Sequence, residues 1–350
     1  MEPKNIHSKS IFYILLFISI IIGAAVLKIT SNIFIPITVA LLLSFVFYPM
    51  LKKLNQKLHF PWIVSILLVL FLSIIIFTIL GNLIFSSIKK ISSVYPKYED
   101  RFWEIYMIFA KAFKITVDED SSLLANLWNS LKVRNTVQSA AISLSSSLLS
   151  FTKNILLIVL YVVFLLLEMK TLRKKADKAL DKSASGKFNI ITSNIINETT
   201  HYISIKFLIS LFTGILVFIS TLAVGIEFPI IWGFAAFILN FIPTFGSIIS
   251  WGATTLFAIL QFYPSWPKVI IVSVLILAVN MILGNIIEPR WEGSDLGLSP
   301  FVILISLAVW GWIWGPIGMI LAVPLMVIIK IICENVSYLE KIAIFLGNGK

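Results

Sequence analysis

The chain alternates long apolar runs with short polar clusters, and the runs set the first expectations. Ile11 to Leu27 is apolar, the turn-forming KITSN follows, and Ile33 to Met50 is apolar again, so a helical hairpin is predicted here. The basic loop LKKLNQKLHFP leads to a third and longer run, Trp62 to Ile88. Runs of about eighteen or more apolar residues are long enough for a helix to cross a hydrocarbon core. From Lys89 to Ser150 the pattern changes to polar, mixed-charge sequence such as VYPKYEDRFWEIY and TVDEDSS. Phe102, Ile105, Phe109 and Phe113 recur there at helical spacing, which predicts amphipathic helices outside the membrane. Asn154 to Leu167 returns to membrane-grade hydropathy, and Phe207 to Val224 and Lys268 to Ile287 supply two more spans.

Two apolar stretches break this rhythm. Phe228 to Tyr263 and Phe301 to Cys333 would each rise roughly 50 Å as a helix, too long for one crossing of a core about 30 Å thick. Each is interrupted near its middle, by NFIPTFG (Asn240 to Gly246) and by GWIWGPIG (Gly311 to Gly318). Proline and glycine end or kink helices, and broken backbone at membrane depth is tolerated only against protein or water. Paired interruptions also point to the binding region of a transporter. The expected fold is therefore an all-α polytopic membrane protein with about six full transmembrane helices plus two broken-helix, re-entrant hairpins; two kinked crossing helices or four short ones are the alternative for the broken stretches. Three regions follow: N-terminal membrane helices (1–88), an extramembrane amphipathic segment (89–150) and a transport core carrying both hairpins (151–350).

Composition agrees. Of 350 residues, 59% are hydrophobic and only 13% charged, with a mean hydropathy of +0.98. The net charge of +11 sits in short loops, as expected for cytoplasmic loops under the positive-inside bias rather than for nucleic-acid binding. The segment EMKTLRKKADKALDKSASGK holds seven basic residues against three acids and is the strongest cytoplasmic marker, with anionic lipid headgroups as its expected contacts. The first run is longer than a usual signal core and is expected to stay as a helix. Both termini are then predicted to be cytoplasmic. One cysteine and three scattered histidines give no metal cluster. No phosphate-binding loop or nucleophile–histidine–acid set is visible, so neither catalysis nor a cofactor is expected.

The candidate site residues are polar groups and helix breakers at membrane depth. Asn240 precedes the first break, where its amide could cap backbone or bind solute. Pro243 and Gly246 would free backbone groups. Asn280 and Asn285 share one span, and Glu288 lies three residues beyond Asn285. Glu288 could bind a cation or proton, or pair with Arg290. Glu198 falls on the apolar stripe of Phe188, Ile191, Ile195, Tyr202 and Ile205; it could be a coupling carboxylate or a partner of Lys206. Pro289, Gly293 and Pro300 punctuate NIIEPRWEGSDLGLSP as a water-facing hinge, with Pro289 expected to end a helix and Pro300 to start one. Gly311, Gly315 and Gly318 mark the second break.

The stretches WGFAAFILNFIPTFGSIISW and NMILGNIIEPRWEGSDLGLSPFVILISLAVWGWIWGPIGMILAVPL resemble the signatures of the autoinducer-2 exporter family, the PerM-type permeases. The match runs through Asn240, Ile242-Pro243, Gly246, Asn280, Glu288-Pro289, Gly293, Leu298, Pro300, Trp310-Gly311, Gly315, Gly318 and Pro324. Ile205-Lys206 departs from it, standing where a Gly-Gln pair is usual. The resemblance implies a homo-oligomeric transporter of the bacterial inner membrane that exports a quorum-sensing furanone or another small solute, or exchanges sodium for protons. A gradient-driven secondary transporter is the expectation; a passive channel or a non-transporting structural membrane protein are the alternatives.

Overall fold

The computed structural model describes residues 4–112, 155–169, 171–172, 175–292, 297–336 and 339–347. Among these the chain is helical, apart from turns and one isolated bridge between Leu298 and Gly347. Among the described residues five helices are long and apolar enough to cross a membrane, and the fold is that of an all-α polytopic membrane protein. The chain divides into two compact units. Most of the 89–150 region lies outside the described residues, as does Gly293.

The first unit comprises Met1–Ile66, Leu156–Ile203 and Ser294–Lys350. It holds α1 (Lys4–Ile29), α2 (Ser31–Lys57), α4 (Ile155–Met169), α10 (Pro300–Asn335) and α11 (Glu340–Leu346). The hairpin predicted across KITSN is corrected to a bend at one non-helical residue, Thr30, with φ −95° and ψ 20°. Its N–H reaches Val26 and its carbonyl accepts from Ile33 and Phe34. The bend thus keeps most helical bonding and needs no loop.

The 36 residues of α10 are two helices folded back on each other. Gly315 adopts φ 64°, ψ −148°, a region open essentially to glycine alone. Ser306 Oγ donates to the Ala322 carbonyl at 3.1 Å; along a straight helix those sixteen positions would lie about 24 Å apart. The arms run from Pro300 to Trp314 and from Pro316 to Asn335. Pro300 opens the first arm after the extended Ser299, as its preset φ favours. Leu42, Phe45, Ile313, Trp314 and Leu321 form one buried cluster, and Tyr202, Leu298, Val323, Val327 and Ile331 a second. Trp314 Nε1 donates to the Leu27 carbonyl at 3.0 Å, and Lys28 lies over the Trp312 ring at 3.6 Å. The tip is thereby fastened to the end of α1.

The second unit comprises Leu67–Ile155 and Ser204–Gly293. It holds most of α3 (Trp62–Ala112), the C-terminal half of α5 (Lys182–Val224), then α6 (Pro229–Leu239), α7 (Phe245–Phe262), α8 (Trp266–Asn280), a π-helical stretch (Met281–Ile287) and α9 (Glu288–Glu292). α6 and α7 are the arms of the other hairpin. Trp232 and Phe257, 25 positions apart, bring their rings to 5.1 Å, where a straight helix would separate them by about 37 Å. Val217, Ile226, Ala236, Ala258, Val269, Val272 and Ile276 form the core. α5 and α6 pack through Gly214 and Gly233: a Cβ on Gly214 would come 2.9 Å from the Gly233 carbonyl, and one on Gly233 2.8 Å from that of Gly214. Such small-residue seams let helix backbones approach closely in membranes.

Candidate transport site

The first break is a turn knitted by backbone bonds. The Asn240 N–H reaches Ala236, that of Ile242 reaches Leu239, and that of Gly246 reaches Ile242, all within 3.0 Å. Thr244 takes φ 64°, and Pro243 at the tip has no N–H to lose. Gly246 is required by packing, since a Cβ there would fall 1.7 Å from the Leu239 carbonyl oxygen. The second break uses the same device in the other unit: a Cβ on Gly318 would fall 1.9 Å from the Trp310 carbonyl oxygen. Gly311 faces only the flexible end of Met319, 2.8 Å from its would-be Cβ, and is a weaker requirement.

Asn240 is the buried C-cap residue of α6, and it caps through its backbone N–H while its side-chain amide points elsewhere. Its Nδ2 donates to Ser210 Oγ on α5 at 3.0 Å, fastening the hairpin to that helix. Asn280 ends α8 and donates to the Ser247 carbonyl on α7 at 3.3 Å. Its Oδ1 and the hydroxyl of Ser250 are buried with no hydrogen-bond partner. A buried polar atom left so is costly. The α7–α8 seam therefore presents two unsatisfied oxygens beside the broken hairpin. Asn285, by contrast, is exposed.

The π-helical stretch explains the divergence of Asn285 and Glu288. The Glu288 N–H bonds the Leu283 carbonyl, five residues back. This wider turn shifts every side chain beyond it relative to an α-helix, and π-bulges frequently mark functional sites. It also spares Pro289, whose ring would clash with the carbonyl four residues earlier in a regular helix. The expectation that Pro289 ends the helix is corrected: α9 continues to Glu292.

The principal charged feature is a buried pair. Lys206 Nζ donates to Glu288 Oε1 across 82 positions, with side-chain exposures of 4% and 14%. Glu288 thus pairs with Lys206 on α5, and not with Arg290, which is exposed. Glu198 is exposed as well. It lies at the edge of its stripe while Ile191, Ile195 and Tyr202 pack inward, and Lys206 is engaged elsewhere. Sequence reading flagged Glu288 but missed Lys206 as its partner and Ser210 altogether. An isolated lysine inside a strongly apolar helix was the available signal.

A second polar cluster joins α3 to the α5–α6 loop. Glu227 accepts from Lys97 at 2.8 Å and from the Tyr98 hydroxyl at 2.6 Å. Its N–H donates to Gln261, which donates in turn to the Gly225 carbonyl, both at 2.8 Å. Burial opposes ionisation of Glu227, but the hydrogen bonds from Lys97 and Tyr98 outweigh it and hold its carboxyl below the usual range. Burial, then the bond to Glu227 and its charge, push the Tyr98 phenol well up. Neither residue stood out in the sequence.

Long apolar helices, two folded-back hairpins and a polar cluster buried within one unit define a polytopic membrane protein. The comparisons name it more closely. The model of the AI-2E family transporters matches residues 12–337, and the chain belongs to that family. A Borreliella burgdorferi protein named "Putative transport protein" is 31% identical over 350 residues, covering all of this chain and 93% of its own length. The "AI-2 transport protein TqsA" of Escherichia coli K12 is 27% identical over 327 residues, 92% of this chain and 91% of that one. YhhT of the same strain is 28% identical over 358 residues, covering 98% of its length.

Proposed function

We propose that this protein is a secondary transporter moving a small solute or ion across the bacterial inner membrane, with the Lys206–Glu288 pair as the charge element of its pathway. The observation that carries this reading is the burial of that pair among apolar helices. Ionisable groups within membrane segments are expensive and are retained at substrate and ion paths. A buried pair is also poor evidence for stability, because desolvation can exceed the mutual attraction.

Glu288 sits at the end of a π-helical stretch, whose longer bonds can revert to α-helical ones by a small rotation. Such a rotation would carry the carboxylate away from Lys206, toward a passing cation or proton. Asn280, Ser250, Asn240 and the tip of Pro243 and Gly246 supply neutral dipoles suited to a small polar solute. The name of the TqsA relative supports a quorum-sensing furanone as that solute; sodium/proton exchange is the other form of the same reading. The sequence holds no ATP-binding loop, so a gradient drives any uphill step. Homo-oligomeric assembly and cytoplasmic termini complete the proposal.

The test is flux of furanone, sodium and protons in proteoliposomes. Lys206→Gln and Glu288→Gln should each lower flux at least tenfold, and the exchange variant Lys206→Glu/Glu288→Lys should recover part of it. Parental flux and pH profile in both single variants, at normal insertion, would overturn the role of the pair.

A further inference from the structure

A cleft of about 180 Å³ lies wholly within the first unit, between the C-terminal turns of α2, the end of α4 and the N-terminal part of α5. The transport reading makes no use of it. α2 contributes Tyr48 and Lys52, α4 ends there at Met169, and α5 contributes Thr192, Ser193, Ile196 and Asn197, so polar and apolar side chains line it together. Thr192 and Ser193 each lie one turn from Ile196 or Asn197, so this side of α5 carries hydroxyl, amide and aliphatic groups side by side.

The charge of the cleft has one sign. No carboxylate lines it. Of the acids nearby, Glu168 pairs with Lys175 and Asp177 accepts from Ser185 and Asn189, while Asp181 and Glu198 are exposed and outside the lining. Lys52 has no ion-pair partner among the described residues. Lys53 and Lys57 follow on α2, and Lys175, Lys178, Lys182 and Lys187 precede or open α5, all exposed.

The level of the cleft is also marked. Tyr48 packs edge-on against Trp62 at 5.8 Å, and Trp62 donates to the Leu166 carbonyl. Aromatic residues of this kind collect at the headgroup level of a bilayer. A cation, two hydroxyls and an amide set beside Met169 and Ile196 suit an amphiphile whose anion carries oxygens. We propose that this cleft binds the headgroup of an anionic phospholipid, with the phosphodiester at Lys52, Thr192 and Ser193 and the start of the acyl region against Met169 and Ile196.

The full-length protein, purified in mild detergent, would be titrated with phosphatidylglycerol or phosphatidylcholine and bound lipid counted by native mass spectrometry. Wild type should retain phosphatidylglycerol at a concentration at least tenfold lower than phosphatidylcholine. Lys52→Glu, which reverses the charge, and Ser193→Leu, which fills the space, should each weaken that retention about fivefold or more. Lys53→Glu, one position along and outside the lining, should not. Equal retention of the two lipids, or wild-type retention in both Lys52→Glu and Ser193→Leu, would overturn the assignment. Displacement of the lipid by millimolar inorganic phosphate would reassign the site to a free anion and overturn the lipid as its occupant.

Discussion

Gly246 and Gly318 are each held to glycine by a carbonyl oxygen that would lie within 2 Å of any Cβ. Neither position has an unusual φ, so the demand comes from packing and not from backbone freedom. Gly246→Ala and Gly318→Ala should each force the hairpin arms apart and cost about 1–3 kcal/mol, the usual range for overpacking. Gly252→Ala is the control, because nothing lies within 4 Å of its Cβ; thermal unfolding in detergent should show it neutral or slightly stabilising. If Gly246→Ala unfolds with the control, the close approach is wrong. Glu288→Gln leaves Lys206 buried without its counter-charge, a change that costs about 3–5 kcal/mol in buried pairs. The double variant Lys206→Met/Glu288→Gln should recover most of that loss in the same unfolding assay. Recovery below a third would mean that the pair is not the main partner of either residue. Such facts differ in how far they can be read from sequence. Gly246 and Gly318 stood out because each follows a proline within a greasy run. Lys206 and Glu288 lie 82 positions apart, and no periodicity links residues across two helices.

The α3 to α5–α6 clasp makes a prediction about one element against another. The Glu227 carboxyl is held below its ordinary value of 4.5, so ionised Glu227 favours the clasped form. Its contribution is present above about pH 4.5 and is lost as pH falls through the depressed value. The raised Tyr98 phenol has the opposite sign: its contribution is present below its ordinary value near 10 and is lost only as pH rises through the raised one. Between those limits the clasp should be constant. Amide exchange at Glu227 and Trp232, followed from pH 7 downward, should accelerate beyond its intrinsic dependence below the ordinary carboxylate value in wild type but not in Glu227→Gln. A parallel response in the two proteins would remove Glu227 as the titrating group. The elements themselves were largely legible. Runs too long for one crossing and broken by proline or glycine predicted both hairpins, because hydropathy and backbone geometry are local properties. The π-helical stretch was not legible: nothing in MILGNII distinguishes five-residue from four-residue bonding until Pro289 is placed in a continuing helix. The clasp escaped notice for a similar reason, since Glu227 reads as an ordinary loop acid.

For the molecule as a whole, the excess of lysine and arginine around Lys170 to Lys187 predicts a cytoplasmic position for that loop and for both termini. A cysteine at Ser183 in a Cys333→Ala background should stay unlabelled by an impermeant maleimide in intact cells and react after permeabilisation. Labelling from outside would invert the topology. The first arms of the hairpins carry a consequence for how the protein is made. α6 has 11 residues, a rise of about 16 Å, and the first arm of α10 rises about 22 Å. Neither matches a hydrocarbon layer of about 30 Å, so neither can act alone as a stop-transfer signal when it leaves the ribosome. Each must wait at the insertion machinery until its longer second arm, α7 or the segment after Gly315, has been synthesised, and then enter the lipid with it. Biogenesis of this protein would then proceed in folded pairs at these two points, and the turn at each tip would have to close before membrane entry.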